Sequence, residues 1–111
     1  IAVVPIGYWH GIDRRAFPGL DLSLNNSREL FNDQGLKALV RGKRASLVGK
    51  VSMDIITIDV TRIPVRVGNR VTLIGRDGKE EITAWEFSSR IGTTPYEGLT
   101  CINPLIAHTV R

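Results

Sequence analysis

The 111-residue sequence predicts a mainly β domain, a small β-barrel with one short helix. Three observations lead there. Short runs rich in Val, Ile and Thr recur between turn residues, as strands require. Gly75-Arg76-Asp77-Gly78-Lys79 is a hairpin signal between two such runs. Helix-start chemistry is found at Thr83 and Glu86, after the last of these runs. Sheet edges must be paired or covered, so the strands are expected to close on themselves.

In chain order, Ile1 to Ile6 reads as the first strand. Asp13 to Gln34, with Pro18, Gly19, Asn25, Asn26 and Asn32, has no sustained period and reads as a long loop. Ala38 to Val40 is a strand, and the basic turn Arg41-Gly42-Lys43-Arg44 reads as a solvated hairpin tip. Ser46 to Val60 reads as one long strand, bent or bulged. Val71 to Ile74 and Glu80 to Ile82 flank a hairpin in which Asp77-Gly78 supplies the positive-φ pair of a type I′ turn. Thr83 and Glu86 form a capping box, and Ile82 can staple against Phe87. Ala84, Phe87, Ser88 and Ile91 share one face before Gly92 ends the helix, which is expected to plug one barrel end. Leu99 to Ile102 and Leu105 to Val110 read as further strands.

A chain of this length forms one domain that buries roughly two thirds of its unfolded surface. The sequence opens at Ile1, and Ala2-Val3-Val4-Pro5-Ile6 is too short for a signal h-region or a membrane span. It reads as a piece of a longer soluble protein. Cys101 is the only cysteine, which excludes an internal disulfide and makes a reducing cytoplasm the expected compartment. The net charge of +4 is mild, and its one cluster, Arg41, Lys43 and Arg44, suits RNA only if aromatics interleave with it. None do.

His10 and His108 stand far apart in sequence and no metal-ligand spacing occurs, so no metal is expected. Gly7-Tyr8-Trp9-His10-Gly11 lacks phosphate-loop spacing. Its rings fit two readings, a functional entrance or an aromatic loop resting on the barrel. None of Lys37, Lys43, Lys50 and Lys79 has the apolar surroundings of a Schiff-base nucleophile. Met53 and Asp54, in Val48-Gly49-Lys50-Val51-Ser52-Met53-Asp54, would point to opposite faces of a strand. They read either as a core methionine beside a paired carboxylate, or as a site where the Met53 main-chain N–H meets an anion.

Taken in one order, Pro5-Ile6-Gly7-Tyr8, the Met53-Asp54 segment, Ile82-Thr83-Ala84 and Pro95-Tyr96-Glu97-Gly98-Leu99 resemble the C-terminal domain of pyridoxal-phosphate-dependent alanine racemase. The resemblance runs from Pro5 to about Ile102. It implies a homodimeric cytoplasmic isomerase that interconverts L- and D-alanine, with the cofactor lysine in an N-terminal (β/α)8 barrel outside this sequence. It also implies that the catalytic tyrosine of a Ser-Tyr-Gly segment lies upstream, so Tyr8 is not that base and no catalytic residue is expected here. By the same resemblance Met53, through its N–H, and Asp54 meet the substrate in the partner subunit's site. Tyr96 holds the cofactor phosphate, and Tyr8, Arg14 and Lys50 line the entrance. The family usually has arginine at the position of Lys50, whose point charge lacks the bidentate fork. It commonly reads Gly-Tyr-Ala-Asp-Gly where this chain has Gly7-Tyr8-Trp9-His10-Gly11, and Arg-Val-Pro-Arg where Ile106-Ala107-His108-Thr109 stand. A racemase of another amino acid and an RNA-binding basic barrel are the alternatives. Cofactor is not expected to bind the fragment alone.

Overall fold

The structure, a computed structural model, describes residues 1–16 and 35–107. Five strands, β1 (Ala2–Val4), β2 (Lys37–Val40), β3 (Lys43–Val48), β4 (Ile56–Ile58) and β5 (Val71–Thr72), form an antiparallel sheet in the order β1-β4-β3-β2-β5. It curls into a half-barrel. β6 (Gly75–Asp77) and β7 (Glu80–Ile82) make a separate hairpin, and two short helices follow, α1 (Ala84–Arg90) and α2 (Pro95–Thr100). Most of the loop expected over Asp13 to Gln34, and residues 108–110 of the last expected strand, lie outside the described residues.

The core gathers residues of the sheet, the second hairpin and α1. Leu36, Leu39, Ile56, Ile58 and Ile82 are almost completely buried, with Phe87 of α1 and its C-cap Ile91 packed on the same cluster. Burying each such side chain contributes about 1.5–3 kcal/mol, so α1 is held by its apolar face and not by propensity. Every residue of β2 is buried, including Lys37, whose ammonium donates to the Ser46 hydroxyl across the β2–β3 pair at 2.6 Å.

The basic turn is a hairpin tip, as its sequence suggests. Val40 pairs with Lys43, leaving Arg41 and Gly42 as the two turn residues, both with positive φ (51° and 74°). That is the type I′ pattern, which matches the twist of the flanking strands. The tip is tied to the second hairpin, because the Gly42 N–H donates to the Asp77 carboxylate at 3.0 Å.

Several local expectations change. Asp77 pairs with Glu80, so the second turn is Gly78-Lys79 and only Gly78 has positive φ, the pattern of a type II′ turn with glycine first. Val71 and Thr72 belong to the main sheet, where they pair with Val40 and Leu39. Ser46 to Val60 is not one strand. β3 ends at Val48 and β4 begins at Ile56, the two pairing antiparallel with Leu47 opposite Ile58. Between them the Ser52 N–H donates to the Ile55 carbonyl at 3.1 Å, closing a turn, while residues 8 and 9 take the carbonyls of residues 52 and 53.

Finally, Leu99 and Thr100 end α2 and Cys101 is its C-cap, so no strand runs over Leu99 to Ile102. The Thr94 hydroxyl accepts from the Glu97 N–H, Pro95 occupies the first turn and Glu97 supplies the acid near the N-terminus. This Thr-Pro-x-Glu signature was present in the sequence and outweighs the β-branched run after it. Leu105 to Ala107 are also without strand pairing. α1 starts at the expected cap, with the Thr83 hydroxyl accepting from the Glu86 N–H at 3.1 Å, but the reciprocal bond of the expected capping box, from the Thr83 N–H to the Glu86 carboxylate, is not formed. The Glu86 carboxylate itself accepts from Arg44, an interaction across the fold that local sequence does not announce.

Candidate functional site

Tyr8, Trp9 and His10 form a single 3₁₀ turn that leans on the loop between β3 and β4. The Tyr8 N–H donates to the Ser52 carbonyl at 3.0 Å and the Trp9 N–H to the Met53 carbonyl at 3.1 Å. Gly7 makes this approach possible. A Cβ at position 7 would lie 2.2 Å from the Ser52 oxygen and 2.5 Å from the Met53 oxygen, so any side chain would part the two segments.

The turn is also fixed from the other end of the chain. Asn103 donates from its main chain to the His10 carbonyl at 3.1 Å and from its side-chain amide to the Trp9 carbonyl at 3.0 Å. His10 Nδ1 accepts from the Gly7 N–H at 3.0 Å, and its ring meets the Trp9 ring edge-on at 4.9 Å. Tyr8 and Trp9 remain nearly half exposed. The aromatic turn therefore rests on the β3–β4 loop, with Tyr8 and Trp9 still partly exposed.

A cleft of about 350 Å³ opens between this turn and α2, lined by Tyr8, Ile12, Arg14, Glu97, Gly98 and Cys101 among others. The Arg14 guanidinium carbon stands 6.0 Å from the centre of the Tyr8 ring, at the outer limit of a cation–π contact. Tyr8 and Arg14 are thus brought together. Lys50, Met53 and Asp54 share the exposed β3–β4 loop, so the alternation of a strand does not govern Met53 and Asp54. Among the described residues the Met53 N–H has no hydrogen-bond acceptor, while its carbonyl is occupied by Trp9. Tyr96 projects from α2 with 81% of its surface exposed, and its hydroxyl has no partner among the described residues.

Sequence reasoning missed the ion pairs on the rim. Arg15 donates to Asp13 at 2.8 Å and reaches Glu97 at 3.5 Å, bridging the Arg14–Ala16 turn and α2. The hydrogen bond from Arg15 holds the Asp13 carboxyl below its usual pKa, and the Asp13 carboxylate raises that of the Arg15 guanidinium. Only the Asp13–Arg15 proximity is visible in sequence. Its bridge to residue 97 depends on the fold.

No group of His, Cys, Asp or Glu among the described residues is arranged to hold a metal ion. No helix among them is long and apolar enough to cross a membrane. The basic hairpin tip is partly neutralised, since Arg44 donates to Glu80 at 3.0 Å and to Glu86 at 2.7 Å. That removes one of the three cations an RNA backbone would need. Of the residues singled out in the sequence, the cleft brings together Tyr8 and Arg14, beside Asp13 and Glu97, while Lys50, Met53, Asp54 and Tyr96 stand outside its lining.

Residues 1–110 match the family described as alanine racemase, C-terminal domain. The alanine racemase of Leptospira interrogans serogroup Icterohaemorrhagiae serovar copenhageni is 39% identical over 111 residues, covering 99% of this chain and 24% of that protein. That of Thermodesulfovibrio yellowstonii is 42% identical over 101 residues, covering 90% of this chain and 23% of that protein. The fold is similar to the crystal structure of alanine racemase from Bacillus anthracis with bound L-Ala-P, at a TM-score of 0.69 and 39% identity, over 92% of this chain and 22% of that one. The chain spans about a quarter of the length of these relatives.

Proposed function

Because this chain belongs to the alanine racemase C-terminal domain family, we propose that it acts as the C-terminal domain of a pyridoxal 5′-phosphate-dependent alanine racemase. The whole enzyme would interconvert L- and D-alanine in the cytoplasm as a homodimer and supply D-alanine for peptidoglycan. Its N-terminal cofactor barrel would carry the reactive lysine and the catalytic tyrosine.

The donor set of this chain fits a contributing role toward the cofactor. Lys37 is the buried lysine and its ammonium is engaged by Ser46, while Lys43, Lys50 and Lys79 are exposed, so none has the environment of an imine-forming amine. The exposed Tyr96 hydroxyl is suited to a phosphate oxygen. When bound, the cofactor stabilises the negative charge left at the α-carbon after proton removal. The residues of this domain would bind and orient. The Met53 N–H would donate to the substrate carboxylate, with Asp54 beside it. Tyr8, Arg14 and Lys50 would give the entrance a positive, aromatic rim that attracts a small amino acid and excludes bulkier ones.

The observation that carries this reading is the Met53 N–H, which has no acceptor among the described residues and lies between the Ser52 and Met53 carbonyls that Tyr8 and Trp9 hold. The test compares Met53→Ala with Met53→Pro in the full-length enzyme. Met53 lies outside the strands, so proline deletes the donor without breaking a ladder bond. Provided circular dichroism shows both variants folded, Met53→Pro should raise KM and lower kcat/KM for alanine, while Met53→Ala stays near the parent. Equal losses would assign the effect to the side chain and withdraw the main-chain role.

A further inference from the structure

We propose that Gly98 and Ser88 form the seat that positions Tyr96, with Gly98 acting as a positioning residue for the cofactor contact. The proposal rests on the reading of Tyr96 as a phosphate donor and identifies what fixes that donor in space. α2 is only six residues long and Gly98 is its one buried residue. Glu97, Leu99 and Thr100 are exposed, so Gly98 is the point at which the helix itself packs on α1, while its C-cap Cys101 lies close on Gly11 and Glu97 meets Arg15.

The seat is tight. A Cβ on Gly98 would lie 2.5 Å from the Ser88 hydroxyl oxygen and 3.4 Å from the Ser88 Cβ. Ser88 belongs to α1, is 1% exposed, and its hydroxyl finds no hydrogen-bond partner among the described residues. The contact is therefore one of shape, and because Ser88 is packed on all sides its hydroxyl has little room to turn away from bulk at position 98. Ser88 also anchors the connection between the helices, since its carbonyl accepts from the N–H groups of Ile91 and Thr93.

Helix geometry links the seat to Tyr96. Residues two apart stand roughly 200° apart around the axis, so Gly98 faces inward when Tyr96 faces outward. Their burial agrees with this: Gly98 is buried and Tyr96 is 81% exposed. Bulk added at Gly98 would push α2 away from α1, along the direction in which Tyr96 projects. Glycine is a poor helix former, and in a helix this short its presence is explained by the close approach it permits.

The experiment uses the full-length enzyme carrying Gly98→Ala, Ser88→Ala, the double variant and, in parallel, Tyr96→Phe. Pyridoxal 5′-phosphate affinity is measured by titration of the apoenzyme, and amide hydrogen exchange is followed over residues 95–101. KM and kcat for alanine are determined for each. Gly98→Ala should weaken cofactor binding by roughly tenfold, the size of one lost charge-assisted hydrogen bond, and speed exchange in α2. Ser88→Ala alone should leave both near the parent. In the double variant the 2.5 Å clash is absent and the 3.4 Å approach remains, so affinity and exchange should return toward the parent. At saturating cofactor, the Gly98→Ala defect should fall on KM more than on kcat, and the second substitution should restore it.

Parental affinity and exchange in Gly98→Ala would overturn the seat, whatever Tyr96→Phe does. A double variant no better than Gly98→Ala, or one that does not fold, would overturn it as well. Rescued exchange together with a silent Tyr96→Phe would uphold the seat and refute the phosphate role of Tyr96.

Discussion

Single residues decide what this domain offers a ligand. In the full-length enzyme, Tyr96→Phe removes the hydroxyl and leaves the ring. A hydrogen bond to a charged group is worth roughly 1.5–3 kcal/mol, so cofactor affinity should fall by about one to two orders of magnitude, measured as a dissociation constant on the apoenzyme. An unchanged constant would remove Tyr96 from the phosphate site. Asp13 gives a pH dependence. Its carboxyl titrates lower in the folded chain, because Arg15 donates a hydrogen bond to the charged form. The stabilisation is thus present above the ordinary carboxylate pKa and is lost as pH falls through the depressed value. Denaturation curves of the parent and Asp13→Asn should separate at neutral pH and converge in acid; a gap that persists in acid would mean that packing, not charge, holds the rim. At this scale the sequence marked Tyr8, Lys50, Met53, Asp54 and Tyr96, which sit in the segments that carry the family resemblance, and Arg14 through that resemblance alone. It did not mark Asn103 or the reach of Arg15 to Glu97, since those contacts join residues more than 80 positions apart.

Among the elements, Arg44 is the joint of the fold. From β3 it donates to Glu80 of β7, Glu86 of α1 and the Glu81 carbonyl, fastening the sheet, the second hairpin and the first helix through one guanidinium. Lysine offers one nitrogen in place of a planar fork, so Arg44→Lys cannot reach all three acceptors together. The site is about one third exposed, which limits the loss to about 1 kcal/mol and the drop in melting temperature to roughly 4–8 °C for a domain of this size. A melting temperature equal to the parent's would show that the three bonds are individually replaced by water. Elements were legible where local chemistry decides them: the Arg41-Gly42 tip, the Thr83 cap, and the apolar face of α1. They were misread where a distant segment intervenes. Ser46 to Val60 is rich in β-branched residues and looks continuous, but Tyr8 and Trp9 occupy the carbonyls of Ser52 and Met53 and the run divides into two strands. The α2 helix was misread for the opposite reason, as Thr94, Pro95 and Glu97 were a local signal passed over in favour of the strand-like residues that follow.

For the molecule as a whole, the chain is expected to be a recognition module and not a catalyst. Expressed alone, it should neither hold pyridoxal 5′-phosphate stoichiometrically nor racemise alanine, because no lysine in it has the surroundings of a Schiff-base nucleophile. Cofactor absorbance co-purifying with the isolated chain, or racemisation above buffer, would contradict this. The two hydrogen bonds from Asn103 back to Trp9 and His10 bear on how such a module is made. The strands of the sheet lie within residues 2–72, whereas the Trp9 and His10 carbonyls are met from residue 103. Closing so long a loop is entropically costly and comes late. On refolding from denaturant, the sheet should therefore pair before those two carbonyls are covered.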